Sequence, residues 1–156
     1  MPQSIILRGD LFNTKAKYIC HQVNCCGKMG SGIAKQVRQK FPEAYSAYMD
    51  LCRASDFKKG ELLGKAQLCP TVNGTTIINM FAQGDYGYDG GLYTNYVAFR
   101  QCLGEICALV PEGETIAMPY KIGCGLGGGD WDTIRNMIVV ELSNKYIVEF
   151  WIKEAL

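Results

Sequence analysis

The chain has 156 residues, a length typical of one domain. Its composition, with 48% hydrophobic and 20% charged residues, excludes general disorder. Sixteen Lys and Arg residues against fifteen Asp and Glu residues leave a net charge of +1. That balance argues against strong generic binding to nucleic acid, which depends on many cationic contacts to phosphate. We therefore expect a single domain over residues 1–156.

Strand and helix patterns alternate along the chain and predict an α/β layered domain. Four segments with apolar residues at helical spacing are predicted to form helices; they begin near Ile33, Pro42 and Tyr93 and after Asp130. Asp130 stands where it can cap the last of these helices. The dipeptide Asn73-Gly74 between two strand patterns is typical of a hairpin turn. In chain order, the predicted strands are Ser4–Arg8, Lys17–Val23, Lys65–Pro70, Thr75–Phe81, Thr115–Pro119 and Tyr146–Ile152.

Glycine is the unusual component, with 18 residues against an average share of about 7%. Twelve of them fall in three segments, which we call the first (24–32), second (83–92) and third (123–129) glycine loops. Clustered glycine is typical of special backbone dihedral angles or of close approach to a ligand. Three flexible connections are the simpler interpretation.

The first and third glycine loops each run from the carboxyl end of a predicted strand to the start of a predicted helix. Ligands of open α/β sheets bind at that edge, and backbone N–H groups at helix starts favour anions. Neither loop matches a full nucleotide-binding fingerprint. Two such loops predict a clamp around one extended anion, such as a diphosphate, held by backbone N–H groups.

The eight cysteines do not indicate a secreted disulfide scaffold, because the N-terminal segment lacks the features of a signal peptide. No apolar run reaches the roughly 18 residues that span a membrane. The adjacent pair Cys25-Cys26 is poorly spaced for one zinc ion. We expect a reduced, cytoplasmic protein without membrane contact, metal or other cofactor. In the glycine loops, Cys25, Cys26 and Cys124 are either exposed thiols or small residues close to a ligand.

Two stretches carry a family resemblance over nearly the whole chain. The segment HQVNCCGKMGSGIA at 21–34 resembles the first ligand loop of macro domains, and MPYKIGCGL at 118–126 together with Trp131 resembles the second. Gly9-Asp10-Leu11 is similar to the end of the family's opening strand. The sequence looks most like the subgroup that includes terminal ADP-ribose glycohydrolases, their bacterial relatives and ADP-ribose 1″-phosphate phosphatases.

The resemblance implies a three-layer α/β/α sandwich with a mixed central sheet and an ADP-ribose cleft at the carboxyl ends of the strands. It implies that Asp10 accepts a hydrogen bond from the adenine amino group, that Asn24 faces the distal ribose and that Trp151 lies against adenine. Backbone amides of the first and third glycine loops would enclose the diphosphate and distal ribose. The ligand-binding residues implied are Gly9, Asp10, Leu11, Asn24, Gly30, Ser31, Gly32, Ile33, Gly123, Cys124, Gly125, Leu126, Gly127 and Trp151.

Simpler roles stay open for several of these residues. Asp10 after Gly9 is typical of a plain turn, and Trp151 is equally typical of an aromatic residue that covers a sheet. His21 is the only histidine and lies on an apolar strand face, where a satisfied core residue is common. In phosphatase-like relatives a histidine at this place has been given a catalytic part.

The chain departs from the terminal ADP-ribose glycohydrolases at two positions. Those enzymes carry a lysine just after the strand that corresponds to Thr75–Phe81, and this chain has none there. They also carry an acidic residue after the Gly-Cys-Gly-Leu stretch, where this chain has Gly127. Asp130 comes three residues later and needs a different loop path to replace that carboxylate. Other macro hydrolases position a water that the ligand's own phosphate helps to activate. The candidate catalytic residues are Asn24, Asp130 and His21.

Three functions are compatible with the sequence. The first is binding of ADP-ribose or of an ADP-ribosylated macromolecule, with or without hydrolysis of the ADP-ribosyl bond. The second is an ADP-ribose 1″-phosphate phosphatase. The third is a protein-interaction module that uses the segment Asp85–Tyr96, which holds four tyrosines among glycines. That segment is equally compatible with a lid over the distal ribose or with an ordered surface loop.

Overall fold

Six strands and five α-helices account for most of residues 3–153, the part of the chain that the computed structural model describes. The strands are β1 (Ser4–Arg8), β2 (Tyr18–Val23), β3 (Ala66–Pro70), β4 (Thr76–Phe81), β5 (Thr115–Pro119) and β6 (Ile147–Ile152). The helices are α1 (Gly32–Lys40), α2 (Pro42–Ala54), α3 (Lys59–Leu62), α4 (Tyr96–Leu109) and α5 (Trp131–Leu142), and a 3-10 turn spans Leu11–Asn13.

The strands form one mixed sheet in the order β1-β6-β5-β2-β4-β3. Every neighbouring pair is parallel except the β3–β4 hairpin, which is antiparallel. The carboxyl ends of β1, β6, β5, β2 and β4 therefore lie along one edge of the sheet. This is the edge at which α/β sheets bind ligands.

The sheet is buried on both faces, and the alternation of side chains along β2 shows why. Tyr18 and Cys20 pack with residues of α4 and α5, whereas Ile19 packs with Val37 of α1 and Ala44 of α2. Successive side chains of a strand point to opposite faces, so an almost wholly apolar strand is covered by helices on both sides. The predicted three-layer α/β/α sandwich with a mixed sheet is confirmed.

The predicted elements differ from the observed ones mainly at their ends. Each predicted strand lies within one residue of its observed bounds. Helix α4 begins later than its apolar pattern suggests because Asn95 ends the preceding segment: its side chain accepts a hydrogen bond from the Ala98 N–H at 2.9 Å. The four-residue helix α3 is too short to produce a periodic pattern. Within residues 3–153, none of the helices has the length and apolar character required to cross a bilayer.

Candidate functional site

A cavity of about 390 Å³ opens at the carboxyl edge of the sheet, and all three glycine loops line it. Its charged lining residues are Lys28 and Lys121, and no Asp or Glu of the described chain lines it. This charge balance favours an anionic ligand. The predicted site residues that line the cavity are His21, Asn24, Gly30, Ser31, Gly32, Ile33, Gly123, Gly125, Leu126 and Gly127.

The first glycine loop is held in place by Tyr48, which is fully buried in α2. Its hydroxyl accepts hydrogen bonds from the N–H groups of Gly27 at 3.1 Å and Lys28 at 3.2 Å, and it donates to the backbone oxygen of Asn24 at 2.7 Å. The Asn24 side chain shapes the same loop, since its oxygen accepts from the Cys26 N–H and its nitrogen donates to the Lys28 carbonyl. No residue pattern indicates this role of Tyr48, because its partners are mostly backbone groups.

Helix α1 begins at the cavity with its first N–H groups free of a side-chain cap. Ser31 occupies the N-cap position, but its hydroxyl makes no capping hydrogen bond. It instead hydrogen-bonds the Tyr88 hydroxyl, at 2.8 Å, across the cavity. The first N–H groups of a helix lack intrahelical partners and carry the positive end of the helix dipole. This end of the cavity is therefore suited to an anion.

The third glycine loop packs so closely that a side chain has no room at Gly127. A Cβ atom there would lie 2.6 Å from Thr94 Oγ1, 2.8 Å from the Gly123 oxygen and 2.9 Å from Gln22 Nε2. The Gly127 oxygen also accepts hydrogen bonds from the N–H groups of Tyr93 and Thr94, at 2.7 and 2.9 Å. The carboxylate that the resemblance associates with this position could not be accommodated without moving the loop.

The neighbouring part of the same loop is open. No heavy atom lies within 4 Å of a Cβ built on Gly125. The N–H groups of Gly125, Leu126 and Gly127 donate to no acceptor among residues 3–153. Together with the start of α1, they give the cavity two sets of uncommitted backbone donors.

The second glycine loop forms a wall of the cavity. Tyr86, Gly87 and Tyr88 line it, and the base of the loop is closed by the pairing of Gln83 with Thr94. An ion pair between Lys59 and Asp85, with nitrogen and oxygen 2.5 Å apart, ties the loop to α3. Two tyrosines of the predicted segment Asp85–Tyr96 thus lie at the cavity.

Four predicted ligand residues lie further along the same edge, outside the lining of the cavity. Gly9, Asp10, Leu11 and Trp151 come together where β1 and β6 end, and a Cβ on Gly9 would lie 3.4 Å from the Trp151 ring. The Asp10 carboxylate accepts a hydrogen bond from the Phe12 N–H at 2.9 Å, as a turn residue does. The Trp151 side chain is partly exposed. Cys124 of the third loop also lies outside the lining.

The two other candidate catalytic residues have different surroundings. His21 is buried, its Nε2 atom lies 2.6 Å from Asn79 Oδ1, and burial lowers its pKa to about 4. Asp130 is exposed, and it caps α5 by accepting hydrogen bonds from the Thr133 N–H at 3.0 Å and hydroxyl at 2.8 Å. These bonds hold the pKa of Asp130 below its usual value, and Asp130 does not line the cavity.

The cysteines of the loops are free thiols of low reactivity. Burial raises the pKa of Cys25 to about 12 and also raises those of Cys26 and Cys124. A thiol with a raised pKa carries little of the reactive thiolate at neutral pH. None of the three lines the cavity. Within the described chain, His, Cys, Asp and Glu side chains form no group of three or more that could hold a metal ion.

The three-layer fold and the cavity at its sheet edge define an α/β domain with uncommitted backbone donors at the carboxyl ends of its strands. The chain belongs to the Macro domain family, whose match covers residues 20–138. The resemblance seen in the sequence is therefore confirmed.

Among its relatives, the "DNA ADP-ribosyl glycohydrolase" of Mycobacterium tuberculosis is 29% identical over 84% of this chain. The chain spans only 36% of the length of that protein. The "ADP-ribose 1''-phosphate phosphatase" of Debaryomyces hansenii is 32% identical over 59% of this chain and 49% of its own. The structure "Thermosipho africanus DarTG in complex with ADP-ribose" has a TM-score of 0.78 at 20% identity, over 97% of this chain and 42% of that one.

We predict that Gly127→Ala lowers the free energy of unfolding by about 1–3 kcal/mol, because its methyl group would crowd Thr94, Gly123 and Gln22. Gly125→Ala is the matched control, since its Cβ meets no atom within 4 Å and should change stability by less than about 0.5 kcal/mol. Urea denaturation of the two variants measures both values. Equal stabilities would show that the third loop adapts freely.

We also predict that stability contributed by His21 is lost as the pH falls from 6.5 towards 4. Its pKa is 6.5 as a free side chain and about 4 in the fold, so the unfolded chain binds a proton in this range and the folded chain does not. The free energy of unfolding should fall by about 3 kcal/mol over this range. Denaturation of the wild type and of His21→Gln across this range isolates the effect. Parallel stability curves would contradict the prediction.

Proposed function

We propose that the protein binds ADP-ribose, or an ADP-ribosyl group at the end of a macromolecule, in this cavity. The observation that carries the proposal is the pair of uncommitted donor sets, one at the start of α1 and one at Gly125–Gly127. Several uncommitted backbone N–H groups on residues that line one cavity suit a diphosphate, since each charge-assisted hydrogen bond contributes roughly 1.5–3 kcal/mol. Lys28 and Lys121 add positive charge to the lining.

The arrangement of the strands supports a ligand that extends along the sheet edge. Asp10 and Trp151 lie at the ends of β1 and β6, whereas the cavity lies beyond β5 and β2. Three strand spacings of about 4.8 Å separate β1 from β2, or roughly 14 Å. We propose that adenine lies at the β1–β6 end, the diphosphate between the two loops, and the terminal ribose at the end of β2.

We further propose that any hydrolysis of an ADP-ribosyl bond at this site depends on positioning. Relatives named DNA ADP-ribosyl glycohydrolases make ADP-ribosylated DNA the first substrate to test. The lining has no carboxylate to act as a general base, and position 127 has no room for one. The remaining route is a water held near the terminal ribose and activated by the ligand's phosphate, with Asn24 shaping the loop beside it.

The two other functions compatible with the sequence have less support. A phosphatase that uses Asp130 would need that carboxylate at the substrate, but it caps α5 outside the cavity. His21 lines the cavity, but burial lowers its pKa to about 4, so the ring has no second proton to donate to a leaving group at neutral pH. An interaction module would use the tyrosines of the second loop; Tyr86 and Tyr88 are exposed, but both also line the cavity, where a bound ligand would meet them.

Calorimetry with ADP-ribose tests the binding proposal. Gly125→Glu should weaken binding at least about 100-fold, because its carboxylate would face the diphosphate and like charges brought together cost several kcal/mol. Gly104→Glu, on the exposed side of α4, is the matched control, since it adds the same charge at a glycine whose Cβ also meets no atom within 4 Å. Absence of heat with the wild type at millimolar ligand would refute the proposal.

Release of ADP-ribose from an ADP-ribosylated oligonucleotide tests the placement mechanism. Where the wild type releases ADP-ribose, Asp130→Ala should do so at an unchanged rate, because this carboxylate serves the helix and not the cavity. The same variant should melt at a lower temperature, since α5 loses its cap. A release rate that falls by orders of magnitude in a folded Asp130→Ala protein would return Asp130 to the mechanism.

A further inference from the structure

Two buried hydrogen-bond acceptors at the end of β2 have no partner in the protein. They are His21 Nδ1 and Gln22 Oε1, and both residues line the cavity. Among the side chains of residues 3–153, the one other buried polar atom without a partner is the hydroxyl of Ser143, at the far end of α5. Leaving a buried acceptor unpaired is costly, so two of them at one cavity point to a ligand that completes them.

The orientation of the His21 ring is fixed by a chain of hydrogen bonds that starts at α2. The Gln67 nitrogen donates to the Ala47 carbonyl at 2.9 Å, so its oxygen faces Asn79 and accepts from the Asn79 nitrogen at 3.1 Å. The Asn79 nitrogen also donates to the Ala44 carbonyl at 3.3 Å. The Asn79 oxygen must therefore accept the proton of His21 Nε2, which leaves Nδ1 unprotonated.

A separate chain of hydrogen bonds fixes the amide of Gln22. The Gln83 nitrogen donates to the Asp85 carbonyl, so the Gln83 oxygen accepts from Gln22 Nε2 at 2.8 Å. The Thr94 hydroxyl donates to the Gly123 carbonyl at 2.7 Å and accepts the second proton of Gln22 Nε2 at 2.8 Å. Both donors of Gln22 are thus used, and its oxygen is left as an acceptor.

Two acceptors that cannot turn into donors define the ligand chemistry at the end of β2. A sugar hydroxyl donates to such an atom, whereas an ionised phosphate oxygen only accepts and would be repelled. His21 and Gln22 are adjacent in the strand, and their side chains point to opposite faces, so a single hydroxyl group could not satisfy both acceptors.

We propose that His21 and Gln22 determine specificity for the terminal ribose of ADP-ribose, each by accepting a hydrogen bond from one of its hydroxyl groups. The proposal rests on the proposed function, which brings this ribose to the end of β2. His21 then takes part as a neutral acceptor and not as a proton-transfer group, and its low pKa keeps it in that form at physiological pH.

Calorimetry with ADP-ribose and with ADP, which lacks the terminal ribose, tests the proposal. A glutamine at position 21 can reproduce the Nε2 donor towards Asn79 but not the Nδ1 acceptor, whereas an asparagine reproduces the acceptor and loses the contact with Asn79. His21→Gln should therefore bind ADP-ribose about tenfold more weakly, the effect of one hydrogen bond, with an unchanged affinity for ADP. His21→Asn should be less stable but keep ADP-ribose affinity within about threefold. Gln22→Met should weaken ADP-ribose binding more than ADP binding, since the loss of its two donor bonds to Gln83 and Thr94 affects both ligands alike and the loss of its acceptor affects ADP-ribose alone.

The outcomes separate this proposal from the function on which it rests. A folded wild type that does not bind ADP-ribose refutes the proposed function, and the assignment falls with it. A wild type that binds, together with a His21→Gln variant of unchanged ADP-ribose affinity, overturns the hydroxyl contact alone. An equal loss for ADP and ADP-ribose also overturns it, because the effect would then lie outside the terminal ribose.

Discussion

One buried residue, Thr94, joins the end of β2 to the third glycine loop and, by pairing with Gln83, to the base of the second. Its hydroxyl donates to the Gly123 carbonyl and accepts from the Gln22 side chain, while the Thr94 N–H donates to the Gly127 carbonyl. The residue is only 4% exposed, so these bonds form away from competing water. The shape of the third loop, the position of the second and the orientation of Gln22 all depend on this one residue.

The fold could be predicted from the sequence because its signals are local. Strand patterns, the Asn73-Gly74 turn and the capping position of Asp130 each need only a few neighbouring residues, and each is seen in the structure. The glycine clusters likewise located the loops that line the cavity. What they could not give was the direction of each N–H group or side chain.

The parts of the site that escaped sequence reasoning depend on residues far apart in the chain. Tyr48 resembles an ordinary apolar helix residue until its hydroxyl is seen beneath the first loop. The protonation of His21 is set by Asn79, which bonds its ring, and by Gln67, which bonds Asn79; the three residues meet only because β2, β4 and β3 are neighbours. Thr94 carries no motif at all. Such roles are fixed by packing, and a pattern of residue types cannot express them.

The hydrogen bond between Ser31 and Tyr88 lies across the cavity, where an entering ligand would meet it. It joins two neutral, exposed hydroxyl groups, so its contribution is at the low end of about 0.5–1.5 kcal/mol. Breaking this contact therefore costs an entering ligand little of its binding free energy, although the contact joins two walls of the cavity.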